Sequence, residues 1–542
     1  MSRDTGIPVP LDVTYSDDPT VVKRSAAEDY TNHVVPLTWR SSTRSLSMAW
    51  YSLLSGMFYL VTAATLTATV GAVDALIGIV LACAIYGVLG FVFSKFAART
   101  GLTAFLFSQR LFGTRGAVIA SIILAATGIY YAVFEISVAA EAFHAYFGWF
   151  DLWLWYALVI VLNLPLVMGG VRKWMDKGNR VLLPVYVIGL LVAVLVANAG
   201  NRDAFGWIRQ APAGPGNLAA PGWLYVCFVY LGILVFVLFT MDFARMGRPQ
   251  DVRVNGLVTF GPLFYVLTLL GNGLAGILIA YSGKFLGAAS EATVLTTIVA
   301  LLGGWGILFI WVNQARVNAG NLYVASINLV VCFRKLFRIR LSRIGATLLC
   351  GAVAYLMILT DVPSYLLLAL AWQGVFVAGW IGIALVHIAM SRKSPGATLP
   401  EFRPGRLASV AASTWLWVAV SVLGILFNQY GGAIGRTWST PATLLVAAGA
   451  YAVIYRRQSR TVVLRRQHDP RDEVADIWAA RVKCHVCAES YAAVEMDRDP
   501  RSTELKAICA SCAGLSREFH RACVAEHESR QRDPAAGKRV TT

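Results

Sequence analysis

Twelve stretches of roughly 20 mainly apolar residues recur along this chain. They lie near 46–69, 73–94, 117–146, 152–169, 181–199, 222–243, 257–281, 294–331, 345–360, 363–389, 410–427 and 438–455. A stretch of that length crosses a hydrocarbon layer as one helix, and in lipid the backbone has to satisfy its own hydrogen bonds. An all-α membrane protein with twelve transmembrane helices is therefore expected, numbered here helix 1 to helix 12. The charged fraction agrees, since 57% apolar and 14% charged residues leave too little polar surface for a soluble enzyme of 542 residues. The segment before Ser45 is polar and has no apolar h-region, so helix 1 is expected to direct insertion without a cleaved signal.

A net charge of +17 raises the question of nucleic acid, and the placement of the charges answers it. Lys23, Arg24, Arg40 and Arg44 precede helix 1; Lys95, Arg99, Arg110 and Arg115 link helices 2 and 3; Arg172, Lys173, Lys177 and Arg180 link 4 and 5. Arg245, Arg248 and Arg253 follow helix 6, Arg334, Lys335, Arg338, Arg340 and Arg343 follow helix 8, and Arg392, Lys393, Arg403 and Arg406 follow helix 10. The opposite side carries Arg202, Arg209, Lys284 and Arg436. This is the positive-inside pattern of a multi-pass cell-membrane protein with both termini cytoplasmic, its partner being the lipid bilayer and not nucleic acid. An error of one helix would invert the alternation downstream. The expected organisation is a cytoplasmic segment over 1–45, the twelve-helix body over 46–455, a basic juxtamembrane linker over 456–479, a small module over 480–525 and a disordered tail over 526–542.

Polar residues in the apolar stretches mark the candidate site. In helix 8, Asn313, Gln314, Arg316, Asn318 and Asn321 put amides and a permanent charge where hydrocarbon should be. An arginine at mid-bilayer costs about 2.5–3.5 kcal/mol on insertion scales, so such clusters face a cavity and mark a substrate or ion path. Asn318 and Asn321, three apart, share a helix face and offer both donors and acceptors. In helix 3, Glu135 follows Tyr131 by four residues, which places a carboxylate and an aromatic plate on one face, suited to a flat, hydrogen-bonding heterocycle. Glu135 and Arg316 could pair as a structural bridge; alternatively Arg316 stands where other transporters hold a cation. Helix 1 is interrupted by Ser55 and Gly56, with Phe58 just beyond, and helix 6 by Gly232. Unwound backbone is tolerated in a membrane only where it lines a cavity or binds a ligand. Asp242, closing helix 6, joins Glu135 and Arg316 as a candidate for ion coupling or gating. His144 and His387 lie near helix ends and read as interfacial.

Several stretches together resemble the nucleobase:cation symporter family of cytosine, purine and allantoin permeases, the cytosine permease branch most closely. They are Val35-Pro36 with Arg40; Arg99-Thr100-Gly101-Leu102 with Arg110-Leu111-Phe112-Gly113 and Gly116; Thr240-Met241-Asp242-Phe243-Ala244-Arg245-Met246-Gly247; and Asn318 to Asn321-Leu322-Tyr323 with Ala325-Ser326. The resemblance spans about 28–455. It implies a LeuT-like five-plus-five inverted repeat plus two helices, working by alternating access as a secondary active permease, not an enzyme, for a nucleobase or related heterocycle. By position, Tyr131 resembles the family's helix 3 aromatic, Glu135 its polar partner, usually an amide, and Asn318 the helix 8 amide. Two departures stand out. The helix 6 aromatic falls on Ile233, which stacks poorly, and the hydroxyl residues before Asn318 are replaced by Arg316 and Val317. The second departure favours protons over sodium as the coupling ion. A small organic cation paired to Glu135 is an alternative cargo, and a transporter-derived sensor an alternative role.

The C-terminal segment holds Cys484-His485-Val486-Cys487 and Cys509-Ala510-Ser511-Cys512. Paired C-x₂-C knuckles in a reducing compartment fit a structural four-thiolate Zn²⁺ site, with His485, His520 or Cys523 as possible substitute ligands. A cytosolic protein is a possible partner of this tail. Cys83, Cys227, Cys332 and Cys350 are isolated and read as small core residues.

Overall fold

The computed structural model describes residues 8–168, 176–199, 201, 203, 205–212, 218–284, 286, 291–360, 366–392, 401–458 and 463–532. Arg172, Lys173, Arg202 and Lys393 of the charge pattern lie outside the described residues, as do 1–7, 459–462 and 533–542.

The body is helical. Among the described residues, seven helices, including Ala72–Thr100, Ala104–Phe147, Asp176–Asn198 and Pro249–Ser282, are long and apolar enough to cross a membrane. Two bent pairs add to these: Thr43–Leu54 with Met57–Val70 at 51°, and Gly222–Ile233 with Val235–Ala244 at 46°. They are helices 1 and 6, the first broken at Ser55-Gly56 and the second at Leu234, just past the turn that holds Gly232. Leu152–Met168 and Arg343–Leu359 are shorter apolar helices. Gly304–Cys332, with the polar run, packs against helix 3 along much of its length.

One expectation needs correction. The stretch 294–331 is two helices, Glu291–Leu302 and Gly304–Cys332, separated at Gly303, whose φ of +57° favours glycine. Between helices 2 and 3 a short helix over 104–112 ends at Gly113, whose φ of +84° breaks the helical run, and helix 3 starts just beyond it, close to the expected 117. A Cβ at Gly113 would lie 2.7 Å from the Ala408 carbonyl oxygen. The amides of Thr114 and Arg115, freed by the kink, donate to the carbonyls of Ala408 and Ser409 at 3.1 and 2.9 Å, docking the connection between helices 10 and 11.

Beyond the body, β1 (Val13–Thr14), β2 (Arg481–Lys483) and β3 (Ser490–Ala492) form an antiparallel sheet in that order, with Val13 opposite Val482 and Val482 opposite Tyr491. A second hairpin pairs β4 (Met496–Arg498) with β5 (Ala507–Cys509), followed by helices Ala510–Leu515 and Arg517–Arg532. Their small core includes Val482, Met496, Ile508 and Phe519, and also Val21 from the N-terminal segment. The folded unit is thus wider than 480–525: it takes in a strand and a side chain from the other end of the chain.

Candidate functional site

The break in helix 1 leaves backbone carbonyls without helical partners, and side chains from three other helices take them up. Arg316 of helix 8, 1% exposed, donates to the Tyr51 carbonyl at 2.5 Å and to Asn179 Oδ1 of helix 5 at 2.6 Å. Its guanidinium lies 4.9 Å from the Tyr186 ring centroid. The Tyr186 hydroxyl donates to Asn272 Oδ1, and Asn272 Nδ2 of helix 7 donates to the Leu54 carbonyl at 2.7 Å. The Ser55 hydroxyl reaches the Asn313 carbonyl at 3.3 Å. Glu135 is not an ion-pair partner of Arg316 among the described residues. The structural bridge considered from sequence is not formed, and the guanidinium is committed to helix 1.

Glu135 stands on the other side of the break. It is 6% exposed, and a Cβ at Gly56 would lie 3.9 Å from Glu135 Oε1 and 3.1 Å from the Tyr59 ring. Gln314 of helix 8 adjoins the carboxylate, and Gln373 of helix 10 adjoins the Tyr131 hydroxyl one turn away. The neighbouring Gly374 meets the helix 6 break, where a Cβ would lie 3.2 Å from the Gly232 carbonyl oxygen. Helices 1, 3, 6, 8 and 10 therefore converge on Gly56, Tyr131, Glu135, Gly232, Gln314 and Gln373. Ile233 is buried at the same break, and Phe58 packs edge-on to Tyr59 at 5.8 Å between ring centroids.

Asn318 and Asn321 continue the face of Gln314, at four and seven residues along helix 8. Both are buried, and their amide groups make no hydrogen bond among the described residues. Buried amides normally find partners, so such groups are what a polar cargo would satisfy. The backbone beside them is tightly packed: a Cβ at Gly128 of helix 3 would lie 2.6 Å from the Asn321 carbonyl oxygen, and one at Gly320 2.3 Å from Leu53.

Asp242 lies elsewhere. It accepts the Ala104 amide at 3.0 Å, capping the first turn of the short helix that precedes Gly113, and adjoins Asn328. Asn328 is fourteen residues past Gln314, about 21 Å along the helix axis. This position is at the end of the body where the N-terminal segment and the tail pack, not beside Glu135.

Sequence reasoning missed Gln373, Asn179, Tyr186 and Asn272 as functional groups and gave Gln314 no role beyond membership of the helix 8 polar run. Gln314 was visible as the residue one turn before Asn318. Gln373 and Asn272 are single amides in apolar helices, a weak sign on its own.

In the tail, the Sγ atoms of Cys484, Cys487, Cys509 and Cys512 lie within 4.8 Å of one another. A tetrahedral zinc about 2.3 Å from each sulfur needs sulfurs roughly 3.8 Å apart, so the cluster fits. The Cys509 amide donates to Cys484 Sγ at 3.3 Å and the Cys512 amide to Cys509 Sγ at 3.4 Å, contacts that favour thiolates. The substitute ligands are engaged otherwise: His485 Nε2 lies 3.0 Å from Asp499, and His520 Nε2 2.9 Å from the Leu407 carbonyl.

No protein-family model matches the sequence, and no curated protein matches it. Solved structures do. Mhp1, a nucleobase-cation-symport-1 family transporter, in a closed conformation with bromovinylhydantoin bound, aligns with a TM-score of 0.62 at 16% identity, covering 82% of this chain and 98% of that one. Its inward-facing conformation aligns at 0.61 and 16%, covering 82% and 97%. A Na⁺-coupled sialic acid symporter in a substrate-bound outward-open state aligns at 0.56 and 13%, covering 80% and 92%. The chain has the LeuT-like fold of membrane symporters, and the proteins it resembles are transporters, not enzymes.

Proposed function

We propose that the chain is a secondary active transporter that carries a nucleobase or related nitrogen-rich heterocycle by alternating access through twelve transmembrane helices, in the cell membrane with both termini cytoplasmic. The observation that carries the reading is the convergence of two broken helices on a buried carboxylate, an aromatic ring and amides without partners. Tyr131 supplies a face for a flat ring, Glu135 accepts N–H donors, and Gln314, Asn318 and Asn321 supply donors and acceptors to base edges. A second reading, a small organic cation, is favoured by one observation: Arg316 is occupied by Tyr51 and Asn179, leaving Glu135 without a cationic partner among the described residues. Uptake into proteoliposomes separates the two, since a heterocycle carrier accumulates labelled cytosine, adenine or allantoin and is insensitive to quaternary amines. Failure of every heterocycle to enter or to compete would overturn the first reading.

Coupling follows from the same geometry. A guanidinium fixed on the helix 1 carbonyl repels a sodium ion from that site, and low-dielectric surroundings leave the repulsion unscreened. Glu135 is then the group that takes up and releases a proton. Uptake is expected under an inward proton gradient without sodium, and strong accumulation driven by a sodium gradient alone would sink this assignment.

Cys484, Cys487, Cys509 and Cys512 would hold one Zn²⁺, which supplies a structural cross-link at the cytoplasmic face and no chemistry of transport. The exposed helix Arg517–Arg532 offers a surface to a cytosolic partner.

A further inference from the structure

The loops that fold around the four sulfurs also grip the N-terminal segment. The His33 ring stacks on Tyr491 at 4.8 Å, with Nδ1 2.9 Å from Glu495 and Nε2 3.1 Å from Ser511 Oγ, a residue between Cys509 and Cys512. Arg24 pairs with Glu489, two residues past Cys487, and Arg481 donates to Asp17 at 2.8 Å. β1 pairs with Arg481–Lys483, the strand that leads directly into Cys484.

The same segment continues into the gate region of the body. Arg245, at the end of helix 6, donates to the carbonyls of Asp29 and Tyr30 at 2.7 and 3.2 Å, while the Asp29 carboxylate lies 3.5 Å from Arg343 at the start of helix 9. Arg40 donates to the Val35 and Gly247 carbonyls at 3.1 and 3.0 Å, and the Ser41 amide to Met246 at 2.7 Å, directly before helix 1 starts at Thr43. On its other flank the module holds the connection between helices 10 and 11: Arg403 pairs with Asp469 at 2.6 Å and His520 meets the Leu407 carbonyl. That connection docks on the Gly113 break where helix 3 begins.

The module therefore spans the ends of helices 1 and 6 on one side and of helices 3 and 9 to 11 on the other. Transporters built on repeats work by rocking one such set against the other. We propose that the chain has a second function as a metal sensor: occupancy of the four-cysteine cluster holds residues 13–41 in place and thereby clamps the cytoplasmic ends of helices 1 and 6. Losing the metal loosens the knuckles, frees His33, Arg24 and β1, and lets that end of the body open. Linkage makes the coupling reciprocal, so a conformation with this end open binds the metal more weakly. The inference rests on the reading of the cysteines as a metal site and on alternating access.

Hydrogen exchange of the full-length chain in detergent, as isolated with zinc and after chelator, tests the clamp without any transport assay. Exchange about tenfold faster is expected over residues 13–41 and the first half of helix 1 on chelation, with Gly432–Gln458 unchanged. A paired His33→Ala, Arg24→Ala variant, which leaves every cysteine in place, should show the same acceleration while retaining zinc. A chain that binds no zinc at equimolar metal overturns the metal reading and the clamp with it. Zinc binding with acceleration confined to 480–515, or spread equally into Gly432–Gln458, overturns the clamp alone.

Discussion

Glu135 of helix 3 and Arg316 of helix 8 show how two buried charges take different duties. Glu135→Gln keeps the shape but replaces an acceptor-only carboxylate by an amide, which presents N–H to the N–H groups of the cargo. Losing a charge-assisted hydrogen bond costs about 1.5–3 kcal/mol, so cargo affinity is expected to fall roughly 10–150-fold by equilibrium binding while the thermal midpoint is retained. Unchanged affinity would remove Glu135 from recognition. Arg316→Met has the opposite signature, since it orphans the Tyr51 carbonyl and Asn179 at the helix 1 break. Each unsatisfied buried group costs about 1–3 kcal/mol, so a lowered unfolding midpoint in detergent is expected with or without cargo. Arg316 and Glu135 were legible in the sequence because a charge within an apolar stretch is conspicuous. Their partners were not, because Asn179, Tyr186 and Asn272 lie on other helices and become a network only when helices 5, 7 and 8 surround the break.

At the scale of elements, glycines decide how closely helices approach. Helices 3 and 8 meet with no room for a side chain at Gly128, where a Cβ would press on Asn321 backbone. Gly128→Val is expected to destabilise by about 1–3 kcal/mol through overpacking and to separate Glu135 from Gln314. Gly449→Val, at a site with open space, should leave the midpoint unchanged. Equal midpoints for both variants would count against tight packing here. The broken helices 1 and 6 were legible from Ser55-Gly56 and Gly232, because glycine amid apolar residues weakens a helix locally. The division at Gly303 was not, since Glu291–Leu302 and Gly304–Cys332 are both apolar and the hydropathy runs unbroken between them. The short helix over 104–112, before Gly113, was hidden for a different reason: it carries Gln109 and Arg110, polar enough to resemble a loop.

On the scale of the whole molecule, the two chain ends fold together against the body through buried ion pairs. Burial alone would raise the Glu401 carboxyl, but Arg403 and Arg471 beside it outweigh that and bring it down to about 2 from 4.5. Asp469, between Arg403 and Arg406, is likewise held below its ordinary value. A carboxylate with a lowered folded value stabilises above its unfolded value and loses that contribution as the pH falls. The tail should therefore stay docked at pH 5 and above and release progressively between about pH 4.5 and 2, read as exposure of 463–532 to an acid-active protease. Release that grows instead as pH rises would refute the assignment. Of this assembly the cysteine spacing was legible, because both knuckles are local, whereas the pairing of Val13–Thr14 with Arg481–Lys483 joins residues almost a full chain length apart and leaves no local trace. Truncation after Gln458 removes tail partners of Arg403, Arg406, Arg24 and His33 together, leaving Arg403 with Glu401 alone and Arg406 buried without the carboxylates of Asp469 and Asp497. Abundance and midpoint should drop. Tyr131, Glu135, Gln314 and Asn318 belong to the membrane helices and touch nothing in the tail, so the ranking of competing cargoes should be the same in the truncated chain as in the full one. Competition uptake on both proteins checks this, and a reordered cargo ranking after truncation would mean that the tail shapes the pocket as well as the gate.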